Sequence, residues 1–331
     1  MRYWLCCDGG GTKLIMLVID EQLSILHTAQ AEGVNPNFIP EQSLRGNIDS
    51  CMGSAAQALS GLPIEACLVS MPSPIHYMEE ALAAFGIVTP VVRIGEGLMG
   101  LMAGIGGQHG FAALSGTGSG VFYTGPAGTR SQGGWGMMLG DEGSGGCIGQ
   151  RGLIAAIHAL EDWGEPTALT DQLAIWLGLV KTVTRASARA LVDRVYTASS
   201  PRAVLASFAP FVSASADAGD ALAGGIITQA GIDMGKQMAA LIERVRLVDP
   251  DCLSLPSTLC GGAWKGSRLM YRAYSDHLLA EYPGFDIRWP RFDAIAGGAV
   301  KVGLSQGYSQ EEIYSRMTKS FREYLYPAQH N

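Results

Sequence analysis

The chain contains two copies of one short pattern, a glycine- and threonine-rich turn between two apolar segments. The first copy is CCDGGGTKLIML, residues 6–17, and the second is ALSGTGSGVFYT, residues 113–124. Because glycine has no Cβ, the backbone N–H groups of such a turn can close around an anion. The repeat predicts two similar domains that face each other across a cleft, and two unrelated β-hairpins are the alternative.

The length and composition agree with a globular protein of two domains. The chain has 331 residues, 47% of them hydrophobic, which is enough for two buried cores. Glycine accounts for 44 residues and clusters in a few stretches, which indicates sharp turns or close approach of a ligand. Up to Gly149, apolar segments of strand length alternate with helical segments, and the rest is largely helical. This order predicts an α/β fold with a partly parallel sheet.

Charge and cysteine content exclude several classes of protein. The net charge is −7 and no run of Lys or Arg exceeds two residues, so we expect no nucleic-acid partner. The seven cysteines form no CxxC spacing, which favours buried thiols in a reducing, cytoplasmic protein. Asp8 interrupts the N-terminal apolar run too early for a signal peptide, and no run is long enough to predict a membrane span.

The first turn carries a carboxylate as well as glycines. We expect the amides of Gly9–Thr12 and the Thr12 hydroxyl to hold phosphate oxygens, and Asp8 to hold Mg²⁺ through water. An ordinary hairpin turn is the alternative for this motif alone. Its repetition at residues 115–120 favours phosphate binding.

A second carboxylate, Glu96, lies inside the motif Gly95–Gly100, which has the form GxGxxG. A dinucleotide site requires an acidic residue about 20 positions further on, and none occurs between Glu96 and Asp141. We therefore interpret Glu96 as a catalytic carboxylate at the carboxyl end of a strand. A solvated turn residue without a function is the alternative.

The stretch after the second turn contains an aromatic residue among glycines and then two acids. Trp135 has glycine on both sides, which is unusual for a core aromatic and favours the wall of a sugar pocket. Asp141 and Glu142 precede a helical segment, and we expect one of them to cap it. Capping does not exclude a ligand role.

Four motifs in this order carry a resemblance to a known family: DGGGT at 8–12, SGTGS at 115–119, GGWG at 133–136 with GDEGS at 140–144, and GGAW at 261–264. Together they resemble the N-acetylglucosamine kinase branch of the BadF/BadG/BcrA/BcrD ATPase family, within the actin/hexokinase superfamily. The resemblance covers essentially the whole chain. It implies two ribonuclease-H-like domains with mixed sheets, residues 1–112 joined by a C-terminal helix at 308–326, and residues 113–307 with extra helices.

The resemblance also implies an activity and its site. The activity is phosphorylation of the 6-hydroxyl of an amino sugar by ATP with Mg²⁺, in a homodimer, with Asp8, Glu96 and Asp141 as catalytic residues. ATP would contact the following residues: Gly10, Gly11, Thr12, Lys13, Gly116, Thr117, Gly118, Gly261, Gly262 and Gly266. The sugar would contact the following residues: Asn35, Glu96, Ser119, Gly120, Gly134, Trp135, Gly136 and Asp141.

One position departs from the family pattern. The catalytic base of the family is usually an Asp followed by Ala, whereas this chain has Glu96-Gly97. Two alternatives to the sugar kinase stay open, and the second of them is motivated by this substitution. One is the activator ATPase of a 2-hydroxyacyl-CoA dehydratase, which shares an iron–sulfur cluster across a dimer; the other is a weakly active or non-catalytic sensor of sugar and nucleotide.

Overall fold

Ten strands and twelve α-helices occur in the part of the chain that the computed structural model describes, residues 1–179 and 183–327. The strands are β1 (Tyr3–Gly9), β2 (Lys13–Asp20), β3 (Ile25–Glu32), β4 (Ile64–Ser70), β5 (Val91–Arg93), β6 (Gly110–Ser115), β7 (Ser119–Gly125), β8 (Gly128–Gly133), β9 (Ser257–Cys260) and β10 (Ile287–Arg288). The helices are α1 (Glu41–Leu59), α2 (Ile75–Ala84), α3 (Glu96–Ile105), α4 (Gly145–Leu160), α5 (Leu169–Leu177), α6 (Arg185–Tyr196), α7 (Pro201–Ala206), α8 (Ala209–Asp217), α9 (Ala221–Arg246), α10 (Arg268–Glu281), α11 (Ala296–Ser305) and α12 (Gln310–Ser320).

The chain forms two compact units. The first consists of Met1–Ala112 with Arg288–Asn331, and the second of Ala113–Ile287. Each contains one five-stranded sheet, ordered β3-β2-β1-β4-β5 in the first and β10-β9-β6-β7-β8 in the second. In the first sheet β1 pairs antiparallel with β2 and parallel with β4. These mixed sheets flanked by helices confirm the predicted α/β class.

The sheet of the first unit is covered on both faces. Alternate residues of β1 and β2 point to opposite faces. Cys6 and Leu17 lie in one core, which α3, α11 and α12 complete, while Cys7 and Met16 lie in the other, with α1 and α2. Strands buried on both faces have near-continuous apolar sequences, which is why residues 3–7 and 14–19 identify these strands so clearly.

Residues 288–307, which the sequence analysis assigned to the second domain, lie in the first unit. The reason is the small residues of α11. A Cβ on Gly297 would lie 2.2 Å from the backbone oxygen of Met99 in α3, and a Cβ on Gly298 would lie 2.7 Å from the sulfur of Cys6 in β1. These glycines let α11 pack directly on the core of the first unit.

The second unit differs from the predicted elements in two places. The polar edge strand β8 has no apolar alternation to predict it. The helical region at residues 201–217 is divided into two helices, α7 and α8. Pro210 lies in the first turn of α8, and because it has no N–H it cannot continue a helix from α7. Of the helices that the structure describes, none is long and apolar enough to span a membrane.

Candidate functional site

The first glycine-rich turn connects β1 and β2, as expected. The amide of Gly10 donates to the carbonyl of Lys13 at 3.0 Å and closes the turn. Thr12 and Lys13 are exposed, and a Cβ placed on Gly10 would meet no atom within 4 Å. The turn therefore has an open side at Gly10, where a ligand could approach its backbone.

A second glycine, Gly33, supports this turn from behind. A Cβ on Gly33 would lie 2.5 Å from the carbonyl oxygen of Gly11 and 2.9 Å from the amide nitrogen of Thr12. The next residue, Val34, donates its amide to the carbonyl of Gly10 at 2.9 Å. The predicted sugar residue Asn35 follows, and its Oδ1 accepts the amide of Asn37 at 3.0 Å. The segment carrying Asn35 is thus bonded to the predicted phosphate turn.

Carboxylates of three segments interact at this end of the sheet. Burial is the main reason that the pKa of Asp8 is raised to about 7, and the charge of Glu96 is the next. Lys13 acts in the opposite direction, and Asp293 adds a smaller increase. Glu96 is exposed and is the first residue of α3, directly after β5. Glu96 is therefore near enough for its charge to act on Asp8, and its catalytic role stays a prediction.

Asp293 is a residue that the sequence analysis did not identify. It precedes α11, and its amide donates to the carbonyl of Tyr324 at 2.8 Å. A signal for it exists in the sequence, because Glu96 at the start of α3 and Asp293 shortly before α11 are each followed by glycines in the first turns of the helix. In the described part of the chain, no group of three or more His, Cys, Asp or Glu residues is arranged to hold a metal ion.

The second glycine-rich turn, between β6 and β7, has the same kind of support. The amide of Gly116 donates to the carbonyl of Gly118 at 2.8 Å and tightens the turn. Gly261 has a φ of +99°, and a Cβ on it would lie 2.3 Å from the carbonyl oxygen of Ser115. Trp264 holds the segment after Gly261 by donating its Nε1–H to the carbonyl of Ala113 at 3.0 Å. In each unit, a glycine from a distant segment therefore packs on the backbone of the turn.

The segment 141–146 is hydrogen-bonded along the second turn. Gly145 and Gly146 donate their amides to the carbonyls of Gly116 at 2.7 Å and Thr117 at 3.2 Å. Two hydroxyls also donate to this segment, that of Ser115 to the carbonyl of Gly143 at 2.6 Å and that of Ser119 to the carbonyl of Glu142 at 2.7 Å.

The expectation that Asp141 or Glu142 caps the following helix is wrong. Ser144 is the N-cap of α4, and its hydroxyl accepts the amide of Cys147 at 3.1 Å. Ser144 and Asp141 are both favoured N-cap residue types, so residue type alone does not decide between them.

Asp141 instead forms a buried ion pair with Arg202 of α7. The side chain of Asp141 is 2% exposed and that of Arg202 is 10% exposed. The other oxygen of Asp141 accepts the amide of Ser119 at 3.5 Å. Asp141 has a φ of +62°, which is unusual for a residue other than glycine. No pattern in the sequence pairs Arg202 with Asp141, because the two lie 61 positions apart.

The remaining predicted sugar residues lie on one glycine-rich loop and the strand beside it. Gly120 in β7 pairs with Gly133 in β8, which brings Gly134 beside Ser119 and Gly120; Trp135 and Gly136 follow on the same loop. Gly133, Gly134 and Gly136 all have positive φ. Trp135 is 75% exposed, so the aromatic face that the sequence analysis singled out is accessible.

Comparison with known proteins identifies the family. The model of the BadF/BadG/BcrA/BcrD ATPase family matches residues 5–300. The chain belongs to this family. It is 23% identical over 314 residues to an N-acetylmuramic acid/N-acetylglucosamine kinase from Clostridium acetobutylicum, covering 92% of this chain and 99% of that protein.

Solved structures agree with this family assignment. A candidate N-acetylglucosamine kinase from Chromobacterium violaceum is 25% identical, with a TM-score of 0.64 over 91% of this chain and 99% of that one. A ROK family glucokinase from Streptomyces griseus, bound to glucose and AMPPNP, is 17% identical, with a TM-score of 0.56 over 91% of this chain and 97% of that one. This BadF/BadG/BcrA/BcrD family member therefore has the actin-like ATPase fold that its motifs predict.

Proposed function

We propose that the protein is an ATP-dependent kinase that phosphorylates the 6-hydroxyl of an amino sugar. N-acetylglucosamine is the leading substrate, followed by glucosamine and N-acetylmuramic acid. The Clostridium acetobutylicum relative is named as a kinase of two of these sugars and matches over nearly its whole length. The observation that carries the proposal is the pair of carboxylates, Asp8 and Glu96, next to a glycine-rich turn with an open side.

ATP binding is assigned to the two turns and to the segment that supports the second one. The phosphates would be held by amides and hydroxyls of Gly10–Lys13 in the first unit and Gly116–Gly118 in the second. Gly262, whose position is open, would lie against the adenosine with Gly261 and Gly266. Backbone amides suit this role because they stabilise the charge on transferring phosphate oxygens without rearrangement.

The carboxylate of Asp8 is suited to coordinate a magnesium ion. Mg²⁺ binds proteins through one or two carboxylates, with water and substrate phosphates completing its coordination. Asp8 is a half-buried carboxylate beside the predicted phosphate turn, and its pKa is raised first by burial and then by repulsion from Glu96 and Asp293. A bound cation would relieve that repulsion and neutralise charge on the phosphates.

Glu96 is assigned as the general base. As the sugar 6-hydroxyl attacks the γ-phosphorus, Glu96 accepts the hydroxyl proton. Its position as the first residue of α3 exposes the carboxylate, so that a substrate can reach it. The longer arm of Glu, compared with the usual Asp, requires the sugar to lie correspondingly further from the backbone of α3.

Sugar binding is assigned to Asn35 and Glu96 in the first unit and to a larger group in the second. That group consists of Ser119, Gly120, Gly134, Trp135, Gly136 and Asp141. The exposed Trp135 ring would pack on the apolar face of the sugar ring.

We also propose that the enzyme is a cytoplasmic homodimer.

The activator ATPase is less favoured by the cysteines. Six of the seven are buried and Cys147 is half-buried. Burial raises the pKa of Cys6 and of Cys147, which disfavours the thiolates that bind iron–sulfur clusters. Iron in anaerobically purified protein would revive this alternative.

The test is a panel of sugars with ATP and Mg²⁺, measured by ADP release and by the mass of the product. N-acetylglucosamine, glucosamine, N-acetylmuramic acid and glucose would be compared at equal concentration. We expect a product heavier than the sugar by one phosphoryl group for at least one amino sugar, and weak activity on glucose. Calorimetric binding of ATP and sugar with no product from any sugar would replace the kinase with the sensor.

A further inference from the structure

Arg202 forms an ion pair that is unusually deeply buried. Compared with six other ion pairs among the described residues, Arg202–Asp141 is the one in which both side chains are at most 10% exposed. Taking two charges out of water is costly, and apolar residues of similar size are often equally stable in such places. Burial of the Arg202–Asp141 pair is therefore poor evidence that the pair stabilises the fold. The segments that the pair contacts say more about its role.

The guanidinium of Arg202 contacts the second glycine-rich turn as well as Asp141. A Cβ on Gly118 would lie 1.7 Å from Nη2 of Arg202, so the guanidinium lies directly against the Cα of Gly118. The stem of Arg202 approaches the other segment, with its Cγ 3.7 Å from a Cβ placed on Gly146. One side chain thus contacts both the turn assigned to ATP and the segment assigned to the sugar.

The backbone of Asp141 needs such support. Its φ of +62° costs free energy for a residue with a Cβ and persists only where the surroundings hold it. Its carboxylate contacts the Arg202 guanidinium and, at a longer distance, the amide of Ser119. Without Arg202, a buried carboxylate would be left without its countercharge and would be expected to turn towards water.

We propose that Arg202 is a positioning residue that couples the two binding segments of the second unit. It holds the carboxylate of Asp141 in place for the sugar, and its guanidinium fixes the peptide of Gly118 for the ATP phosphates. This inference rests on the proposed function for the roles of Asp141 and Gly118. Arg202 itself contacts neither ligand.

The experiment uses R202M, R202K, D141N and the double variant R202M/D141N in the full-length protein. KM and kcat are measured for N-acetylglucosamine and ATP, and AMPPNP affinity with Mg²⁺ is measured by calorimetry. The control is R151M, because Arg151 also pairs with an aspartate in the second unit, Asp233 at 3.7 Å, but is 40% exposed. Thermal melting followed by circular dichroism verifies that each variant is folded.

We expect R202M to raise the KM for the sugar at least tenfold and to weaken AMPPNP binding at least threefold, while R151M stays within twofold of the wild type. R202K should recover part of both losses because it keeps the charge. The double variant should bind the sugar no worse than D141N alone, because Arg202 acts on the sugar through Asp141. If R202M does not fold, R202K and the double variant, which leaves no unpaired charge, carry the test.

Three results would overturn the inference. One is a folded R202M with a lower melting temperature but unchanged KM and AMPPNP affinity, which would make Arg202 merely structural. A second is an R202M/D141N variant whose loss of sugar binding equals the product of the losses in the two single variants. The third is wild-type protein that binds no nucleotide. Wild-type protein that binds AMPPNP but phosphorylates no sugar would instead refute the proposed function, and weaker AMPPNP binding by R202M would still support the coupling role.

Discussion

Replacement of Gly33 by alanine should impair nucleotide binding although Gly33 is not assigned to contact the nucleotide. The new Cβ would lie 2.5 Å from the carbonyl oxygen of Gly11, whereas ordinary contacts begin at 3.4 Å. The difference, 3.4 − 2.5 = 0.9 Å, is the distance by which the two backbones must separate. Hydrogen bonds hold both backbone segments in place. The amide of Val34 donates to the carbonyl of Gly10, and the side-chain amide of Asn47 donates to the carbonyl of Gly33 at 2.8 Å.

The displacement can be converted into expected effects. Overpacking of this kind costs about 1–3 kcal/mol of unfolding free energy. A displacement of about 1 Å in a catalytic arrangement can reduce the rate about 100-fold. We therefore expect kcat/KM for ATP to fall about 100-fold in G33A, with a smaller change in KM for the sugar if the turn moves more than the Asn35 segment.

The assay is ADP release at varied ATP, together with urea unfolding of the same preparations. The matched control is G46A in α1 of the same unit, where a Cβ meets no atom within 4 Å. Alanine is favoured over glycine in a helix by up to about 1 kcal/mol, so G46A should be slightly stabilised and fully active. A G33A protein with the stability and kcat/KM of the wild type would refute the reasoning.

Three further predictions concern other parts of the chain. E96Q should lower kcat about 10²–10⁴-fold with little change in the KM for the sugar, because the amide cannot accept the proton; ADP-release kinetics at saturating sugar would test this, and an unchanged kcat would remove Glu96 from the role of base. G261A should lower the melting temperature more than G33A, since Gly261 combines a φ of +99° with a Cβ position 2.3 Å from the backbone of Ser115; equal melting temperatures would contradict it. For Asp220, the N-cap of α9, burial alone would raise the pKa, but hydrogen bonds from the amides of Ala223 and Ala168 and from the Thr167 hydroxyl outweigh it and lower the pKa. Its stabilising effect is therefore present above the unfolded pKa of about 4 and is lost as the pH falls through the lower folded value, so D220A should cost about 1–2 kcal/mol at pH 7 and progressively less below about pH 4 in unfolding experiments.

The sequence predicts best the parts of this protein that depend on local pattern. The apolar segments on either side of Asp8 and Ser115 identify strand, turn and strand in both units. Glu96 was predicted to lie at the carboxyl end of a strand, and it begins α3 shortly after β5. Because β1, β4 and β5 run parallel, the carboxyl ends of β1 and β5 lie at the same edge of the sheet.

What the sequence could not predict are contacts between residues that are distant in the chain. Gly33 and Gly261 look like ordinary loop glycines, and only the fold shows that each packs on the backbone of a turn. Arg202 lies in a helical region and carries no motif, so its pairing with Asp141 depends on how α7 packs. The strand β8 was missed for a different reason, since its polar residues lack any alternation of burial.

The route of the chain through the two units has a consequence for its synthesis. The second unit is one continuous stretch, Ala113–Ile287, whereas the first is made from both ends of the chain. Domains emerging from a ribosome fold as units in the order in which they are completed. The second unit can therefore fold while the Cys6 face of the first sheet still lacks α11 and α12. The first unit, although its synthesis begins first, is the last to be completed.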